Sequence, residues 1–316
     1  MASFDINTTG DDVLKHFSKH AEGKTFVITG PSENGIGAES AITLASAKPQ
    51  KIILVGRTES RVISVIEAIT KINPDIQVSF VEIDLLNIKS VRQAAEKIKT
   101  LTDRIDVLIN NAGVMAVKHY ATSVDGVESQ FAANYLGHFL LTNLLIKEMV
   151  AAVNMGRGAR IVQVGSLGYQ LGETIIEDIN FKDGKTYNPW VAYGQAKTAM
   201  ILFNLALDKR LKEKGITALI CHPGVTLESK LLVNSSVDNE SFADAYVLAI
   251  KRNDDITSGN PLPPQNMVTL KQAAGVVLFT ALNPSLTEAA PAFIVENEIY
   301  TETKDYALNE ETAEGL

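Results

Sequence analysis

The feature that most constrains this chain is a repeated alternation of short apolar runs with longer segments of helical pattern. The runs are TFVITG (25–30), KIILVG (51–56), VSFVEID (78–84), DVLINN (106–111), RIVQVGS (160–166) and TALICHP (217–223). Each is continuously apolar, as expected of parallel strands that are covered on both faces. Helical patterns lie at 38–47, 61–72, 88–99, 127–150 and 193–214. The alternation predicts an α/β fold with a doubly wound parallel sheet, whose strand ends meet at one ligand-binding edge.

Composition and length favour one globular domain over residues 1–316. Hydrophobic residues make up 46% of the chain and charged residues 21%, and the single Cys221 excludes a disulfide framework. Residues 225–268 are less regular and include the Pro-rich stretch SGNPLPPQN, so we predict a substrate loop or lid there. The tail over 296–316 is acidic and polar, and we expect it to be loosely ordered.

Charge and hydropathy limit the possible partners. The chain has 29 Lys and Arg against 37 Asp and Glu, a net charge of −8, which argues against nucleic acid and anionic membrane as partners. Residues 1–25 hold no apolar run typical of a signal peptide, and no stretch approaches the roughly 18 apolar residues of a membrane span. We therefore expect a cytoplasmic protein without a membrane anchor. No His, Cys, Asp or Glu cluster has metal-ligand spacing, so we predict no metal.

A glycine-rich turn follows the first predicted strand. It reads TGPSENGIG (29–37), and such glycines allow a tight turn whose backbone amides reach a pyrophosphate at a helix N-terminus. An ordinary turn is the alternative, but the position between the first strand and the first helix favours nucleotide binding. The second strand is followed by Arg57 instead of an acidic residue, which favours NADP(H) over NAD(H) because a guanidinium pairs with a 2′-phosphate. Glu59, two residues further on, argues against NADP(H) preference, and the alternative for Arg57 is a solvated arginine at the strand end.

A second motif carries acid–base chemistry. Tyr193 and Lys197 stand one turn apart on one helix face, where an ammonium group can lower the pKa of a phenol, normally near ~10. The spacing alone is weak, because Tyr300 and Lys304 repeat it in the acidic tail. Tyr193 is favoured over Tyr300 because Ser166 lies at the end of the strand that precedes it.

These motifs occur in a fixed order with others. The full set is Thr29, Gly30, Gly35, Ile36, Gly37, Asp84, Leu85, Asn110, Asn111, Ala112, Gly113, Asn134, Ser166, Tyr193, Lys197, Pro223 and Gly224. Over about residues 24–225 the chain resembles the short-chain dehydrogenase/reductase family, and NYLGHFLLTNLL (134–145) resembles its retinol-dehydrogenase-like branch. The resemblance implies a Rossmann fold and an NADP-dependent enzyme that moves a hydride between nicotinamide and a hydrophobic carbonyl or alcohol. Two alternatives remain. One is an enzyme of the same family that catalyses an internal redox step, a dehydration or an epimerisation, and the other is a non-catalytic NADP-sensing scaffold.

The resemblance also implies roles for single residues. Tyr193 is the proton donor in reduction, and Ser166 holds the substrate oxygen. Lys197 lowers the pKa of Tyr193 and binds the nicotinamide ribose, while Asn134 anchors a water that relays protons. The implied cofactor contacts are Gly30, Ser32, Asn34, Gly35, Ile36, Gly37, Arg57, Asp84, Leu85, Asn111, Ala112, Gly113, Tyr193, Lys197, Pro223, Gly224, Val225 and Thr226.

Several of these residues keep a structural alternative. Asp84 can cap the next helix, Asn134 can be a satisfied buried amide, and Ser166 can be a plain strand-end serine. His138 and His222 are interpreted as packing or hydrogen-bonded histidines. Four residues separate Gly30 from Gly35 where the family has three, which leaves the roles of Ser32 and Asn34 open.

Substrate residues are the least constrained by the sequence. After Pro223-Gly224 the family's threonine position holds Glu228, so Thr226 and Ser229 both remain candidates for its role. Tyr169, Trp190 and Leu231 are candidates for an apolar substrate pocket, with core packing as the alternative for Trp190. The resemblance allows a monomer or a homodimer formed through the helices at 127–150 and 193–214.

Overall fold

The fold is built on one twisted sheet. The computed structural model describes residues 4–229, 231, 237–257 and 266–316. Its strands are β1 (Thr25–Thr29), β2 (Lys51–Gly56), β3 (Gln77–Glu82), β4 (Val107–Asn110), β5 (Ala159–Val164), β6 (Ile216–His222), β7 (Ala292–Val295) and β8 (Glu298–Ile299). Their order is β3-β2-β1-β4-β5-β6-β7-β8, and every pair is parallel except β7 with β8. The predicted doubly wound parallel sheet is confirmed.

Helices cover both faces of the sheet. They are α1 (Gly10–Phe17), α2 (Ile36–Leu44), α3 (Ile63–Ile72), α4 (Ile88–Leu101), α5 (Ser129–Asn154), α6 (Pro189–Leu211), α7 (Asn239–Thr257), α8 (Leu270–Leu282), α9 (Leu286–Ala289) and α10 (Glu310–Gly315). The core on one face is formed with α4, α5 and α6, and the core on the other face with α1, α2, α3 and α8. The helices therefore exclude water from both faces of the central strands, which is why these strands carry continuous apolar runs.

Local sequence signals explain where the site-bearing helices begin. Asn188 caps α6 by accepting hydrogen bonds from two backbone amides, and Pro189 occupies the first turn. Asn87 caps α4 in the same way. In α5 a π-helical segment, Ala132–Leu136, interrupts the α-helical geometry, and such segments often mark functional sites.

The topology places a crevice at the carboxyl edge of the sheet. β1 lies between β2 and β4, so the connections after β1 and β4 leave in opposite directions. Ligands of open α/β sheets bind at such a switch point. Thr29 and Asn110, the last residues of β1 and β4, are therefore neighbours of the candidate site.

The segment at 225–268 is more regular than we predicted from its sequence. Its 19-residue helix α7, which we call the lid helix, spans Asn239–Thr257. Most of the Pro-rich stretch, residues 258–265, lies outside the described residues. Whether the whole segment acts as a substrate lid stays a prediction.

The expectation of a loosely ordered acidic tail is wrong. Within 296–316, β8 pairs with β7, and Ala307 and Ala313 are buried. Lys209 on α6 forms ion pairs of 3.4 and 3.2 Å with Glu310 and Glu314. Apolar residues spaced among the acidic ones give this tail a face that packs against α6.

One helix is apolar enough to resemble a membrane span. Among the described residues, Ser129–Asn154 alone meets that criterion of length and hydropathy, and 44% of its apolar window is buried. This helix is α5, whose apolar side packs in the core. The core contacts of α5 account for the buried part of this apolar window.

Candidate active site

The glycine turn at 30–37 is closely packed against the end of β4. Gly30 has φ +68°, and a Cβ atom there would lie 2.7 Å from Ala112 Cα. Asn34 adopts φ +57°, a left-handed conformation that accommodates the extra residue of this turn before α2 begins. A Cβ at Gly37 would lie 2.8 Å from Gly30 O. A turn of this kind at a helix N-terminus fits the pyrophosphate of a dinucleotide, with Ser32, Gly35 and Ile36 beside it.

Asn111 braces this turn through its side chain. Its Nδ2 donates hydrogen bonds to Thr29 O (2.8 Å) and Gly30 O (3.1 Å). In return, Thr29 Oγ1 accepts hydrogen bonds from the backbone amides of Asn111 and Ala112, both at 2.9 Å. The Asn111 amide is thus occupied by the protein backbone, so this residue can line a cofactor only through its other atoms.

Arg57 and Asp84 lie after β2 and β3 on the same edge. Arg57 is exposed and directly follows Gly56. Gly56 lies beside the glycine turn, because a Cβ built at Gly56 would be 3.5 Å from Pro31 Cδ. Asp84 Oδ1 accepts a hydrogen bond from Leu86 N (3.0 Å), whereas Asn87 caps α4. The alternative of Asp84 as the cap of that helix is therefore wrong.

Leu85 and Gly113 are placed by contacts with α5. A Cβ at Gly137 would lie 2.8 Å from Leu85 O, and one at Gly113 would lie 3.0 Å from Asn134 Oδ1. The absence of side chains at these glycines lets α5 approach the two loops of the nucleotide edge.

Ser166 and Tyr193 meet under a tight turn. Ser166 begins the 3₁₀ turn Leu167–Leu171, which we call the serine turn, and its Oγ accepts a hydrogen bond from Gly168 N at 2.9 Å. A Cβ built at Gly168 would lie 2.7 Å from Tyr193 Cε1 and 3.1 Å from Ser166 Oγ, so this turn brings the two side chains together. Burial raises the pKa of Tyr193 to about 12, although the neighbouring Ser166 side chain acts in the opposite direction. The phenol is therefore protonated at neutral pH.

Lys197 lies beside the Tyr193 ring. Its Nζ lies 5.7 Å from the centroid of the Tyr193 ring and donates a hydrogen bond to Val164 O at 2.9 Å. Burial lowers the pKa of Lys197 to about 8. Desolvation is the largest influence on the Tyr193 pKa, and the lowering of that pKa by Lys197 stays a prediction.

Asn134 clamps the loop that follows β4. Its Oδ1 accepts a hydrogen bond from Val114 N (2.8 Å), and its Nδ2 donates one to Val114 O (2.9 Å). The side chain is fully buried and both of its polar atoms are used. The interpretation of Asn134 as a satisfied buried amide is confirmed for its side chain.

The loop after β6 is held against the start of α8. Gly224 has φ +87°, and Val225 pairs with Met267 while its carbonyl accepts a hydrogen bond from Val268 N (2.9 Å). Thr226 is buried, and its Oγ1 accepts a long hydrogen bond of 3.4 Å from Glu228 N. The segment 223–226 therefore lies at the carboxyl end of β6 and is held there by these backbone contacts.

An apolar cluster covers Tyr193. Its buried members are Ala116, Leu171, Trp190, Tyr193 and Ala245, and Met115, Val237, Phe242, Leu248 and Ala249 pack against it. The Trp190 ring stands edge-on to Tyr193 at 6.2 Å, and its Nε1 donates a hydrogen bond to Ser241 Oγ on the lid helix (3.0 Å). Trp190 thus contacts both Tyr193 and α7.

The lid-helix members of this cluster were missed by the sequence reasoning. Phe242, Ala245, Leu248 and Ala249 recur at helical spacing, a signal that the reading of 225–268 as irregular overlooked. Leu231 is partly buried, and its amide donates a hydrogen bond to Ser229 Oγ (3.2 Å).

Tyr169 is not a pocket residue. Its side chain is fully buried, packs edge-on to Phe293, and accepts a hydrogen bond through its hydroxyl from Lys304 N (3.1 Å). The prediction of Tyr169 as a substrate contact is wrong, because the serine turn directs this ring toward the C-terminal tail.

Three comparisons with known proteins show which proteins this chain is similar to. A family model described as short chain dehydrogenase matches residues 24–239. The chain is 35% identical to the oxidoreductase fscI of Fusarium equiseti over 70% of the chain and 94% of that protein. It is 39% identical to retinol dehydrogenase 13 of Homo sapiens over 64% of the chain but only 59% of that protein. A short-chain type dehydrogenase/reductase from Mycobacterium marinum has the same fold, with TM-score 0.64, 20% identity and coverage of 90% and 96%.

Proposed function

The chain belongs to the short-chain dehydrogenase family of oxidoreductases, and from that premise we propose that it is an NADP(H)-dependent enzyme acting on a hydrophobic carbonyl or alcohol. The observation that carries the proposal is the meeting of Ser166 and Tyr193 under an apolar cluster at the nucleotide edge. A name such as retinol dehydrogenase, borne by a relative, agrees with an apolar alcohol as substrate class.

The residues divide the chemistry between them. When bound, the nicotinamide supplies or accepts the hydride exchanged with the substrate carbon. Tyr193, protonated at neutral pH, donates its proton to the carbonyl oxygen in reduction, and the ionised phenol takes it back in oxidation. Ser166 donates a hydrogen bond to the same oxygen once its hydroxyl turns from Tyr193 to the substrate.

Lys197 and Asn134 support this proton transfer. The Lys197 ammonium lies close enough to the Tyr193 ring to stabilise a phenolate electrostatically, and it is the natural donor toward a ribose hydroxyl. The side-chain amide of Asn134 holds Val114, so we assign a relay water to the backbone carbonyl, which also contacts His138 Nδ1 at 3.0 Å.

NADP(H) preference rests on Arg57. Its exposed guanidinium follows β2 beside the glycine turn, where a 2′-phosphate of the adenosine ribose would lie. Arg57→Ala should weaken NADPH binding by about 1.5–3 kcal/mol while NADH binding changes little. Equal losses for both cofactors, measured by isothermal titration, would make Arg57 a general adenosine contact.

The function is tested first by thermal-shift titration with NADPH, NADP, NADH and NAD. A ligand that binds only the folded state stabilises it by roughly 2.7 kcal/mol at a hundredfold excess over its Kd. Tyr193→Phe should then abolish carbonyl reduction while leaving NADPH binding within about threefold. Full activity in that variant would overturn the role of Tyr193, and no shift with any of the four nucleotides would overturn the proposed cofactor.

A further inference from the structure

His138 joins two parts of the site that the proposed function treats separately. It lies on α5 one turn after Asn134 and is buried. Its Nδ1 is 3.0 Å from Asn134 O, and its Nε2 is 2.9 Å from Thr29 Oγ1 at the end of β1. One imidazole thus links α5 to β1, the strand that leads into the glycine turn.

The hydrogen-bond inventory fixes which ring nitrogen carries the proton. Thr29 Oγ1 already accepts hydrogen bonds from Asn111 N and Ala112 N, which use both of its lone pairs. Its own hydrogen therefore goes to His138 Nε2, because the other acceptor within reach, Ile109 O, is 3.5 Å away. Nε2 is then an acceptor, so the proton of the neutral ring is on Nδ1 and is donated to Asn134 O.

The surroundings hold His138 in this neutral form. Burial lowers the pKa of His138 to about 4, and the Lys197 charge acts in the same direction. An imidazolium would direct a second N–H at a hydroxyl whose lone pairs are both taken. Only the neutral ring protonated on Nδ1 satisfies every partner.

We propose that His138 is a positioning residue for the hydride-transfer site: as the Nδ1-protonated imidazole it locks the carbonyl of Asn134 and the Thr29 hydroxyl into one hydrogen-bonded chain. This role rests on the proposed function, which assigns a relay water to the same Asn134 carbonyl. The bridge also couples that carbonyl to Asn111 and Ala112, whose amides end the same chain.

The tautomer can be read without any turnover. Long-range ¹H–¹⁵N correlation spectra of protein labelled with ¹⁵N-histidine should give one ring with Nδ1 protonated and Nε2 bare at about pH 7. The signals are assigned by their loss in His138→Gln. An Nε2-protonated or charged ring at this position would overturn the proposal, whether or not the enzyme turns over a carbonyl.

Three variants separate the two halves of the bridge. His138→Phe keeps a ring but removes both bonds, His138→Gln can reach Thr29 with an amide oxygen, and His138→Asn can keep an N–H near Asn134 O. We expect kcat to fall about tenfold to a hundredfold in the Phe and Gln variants and to be largely restored in the Asn variant. The KM for NADPH should stay within about threefold in all three.

A matched control distinguishes positioning from packing. Thr142→Val lies one turn further along α5 and removes another buried hydrogen bond, to Asn110 Nδ2 (2.9 Å). It should lower Tm while kcat is retained. If kcat follows Tm equally across all four variants, His138 only packs the core and the proposal is wrong. An inactive wild type would overturn the proposed function instead, and the ¹⁵N spectra would still decide whether the bridge exists.

Discussion

At the scale of single residues, the chemistry of this site is set by how closely neighbours approach Tyr193. Gly168 packs against its ring next to Ser166 Oγ, and the Trp190 ring stands edge-on at 6.2 Å. A tyrosine so enclosed keeps one orientation, which the proposed proton transfer requires. The same enclosure removes water and raises the pKa of Tyr193 to about 12, so burial and orientation come from the same contacts.

Gly168→Ala tests this enclosure. The added Cβ would lie 2.7 Å from Tyr193 Cε1 and 3.1 Å from Ser166 Oγ, so the arrangement of the two side chains must change. We expect kcat to fall by about tenfold or more, with NADPH binding little changed. In the control Gly315→Ala the new Cβ would lie 3.1 Å from the exposed Ile176 side chain, which can move. Steady-state kinetics that show equal kcat in both variants would contradict this account.

At the scale of elements, α6 is unusual because almost no side of it is open to solvent. The sheet core, α5 and the serine turn cover most of it, and α10 and the preceding tail cover the rest. Leu202 and Ala206 are buried against Ala313 of α10. We propose that this face of α6 does not form a dimer interface, because the chain's own tail occupies it.

Ala313→Arg tests whether α10 is docked in solution. Ala313 is 5% exposed, so a guanidinium there must be forced out of the α6 contact. We expect a loss of about 1–3 kcal/mol in the free energy of unfolding, measured by urea denaturation. Glu311→Arg puts the same side chain on an exposed position of α10 and should change stability by less than about 0.5 kcal/mol. Similar losses in the two variants would show that charge, and not docking, is responsible.

At the scale of the whole molecule, two buried histidines make stability depend on pH. Burial lowers the pKa of both His138 and His222 to about 4, from an ordinary value of 6.5. Between these values the unfolded chain binds more protons than the folded one. These two groups therefore favour folding fully above about pH 6.5, and their contribution is lost as the pH falls toward about 4.

The pH dependence can be assigned by comparing slopes. Each such histidine changes the free energy of unfolding by up to about 1.4 kcal/mol per pH unit inside the window. In urea denaturation at about pH 7, 6 and 5, His138→Gln should therefore show a shallower fall in stability than the wild type. His119→Gln, at an exposed position, is the control. Parallel curves for His138→Gln and wild type would contradict the low pKa of His138.

Much of this molecule followed from its sequence because the relevant signals are local. Apolar runs predicted strands β1 to β6, because a strand buried on both faces cannot alternate, although the edge strand β3 is only partly buried. The fixed order of the glycine turn, Ser166 and the Tyr193–Lys197 pair predicted a shared edge, and the parallel sheet brings its strand ends there. The family resemblance followed from the same motifs and is confirmed.

What the tertiary structure alone decided is where each side chain points and what it meets. The Asn134 and Asn111 amides serve the backbone, Tyr169 faces the tail, and the tail itself docks on α6. The protonated nitrogen of His138 follows from the Thr29 hydroxyl, from the Asn111 amide that donates to it, and from the acceptor carbonyl of Asn134. Motif spacing carries none of this, because hydrogen-bond partners and burial depend on residues that are far apart in the chain and adjacent only after folding.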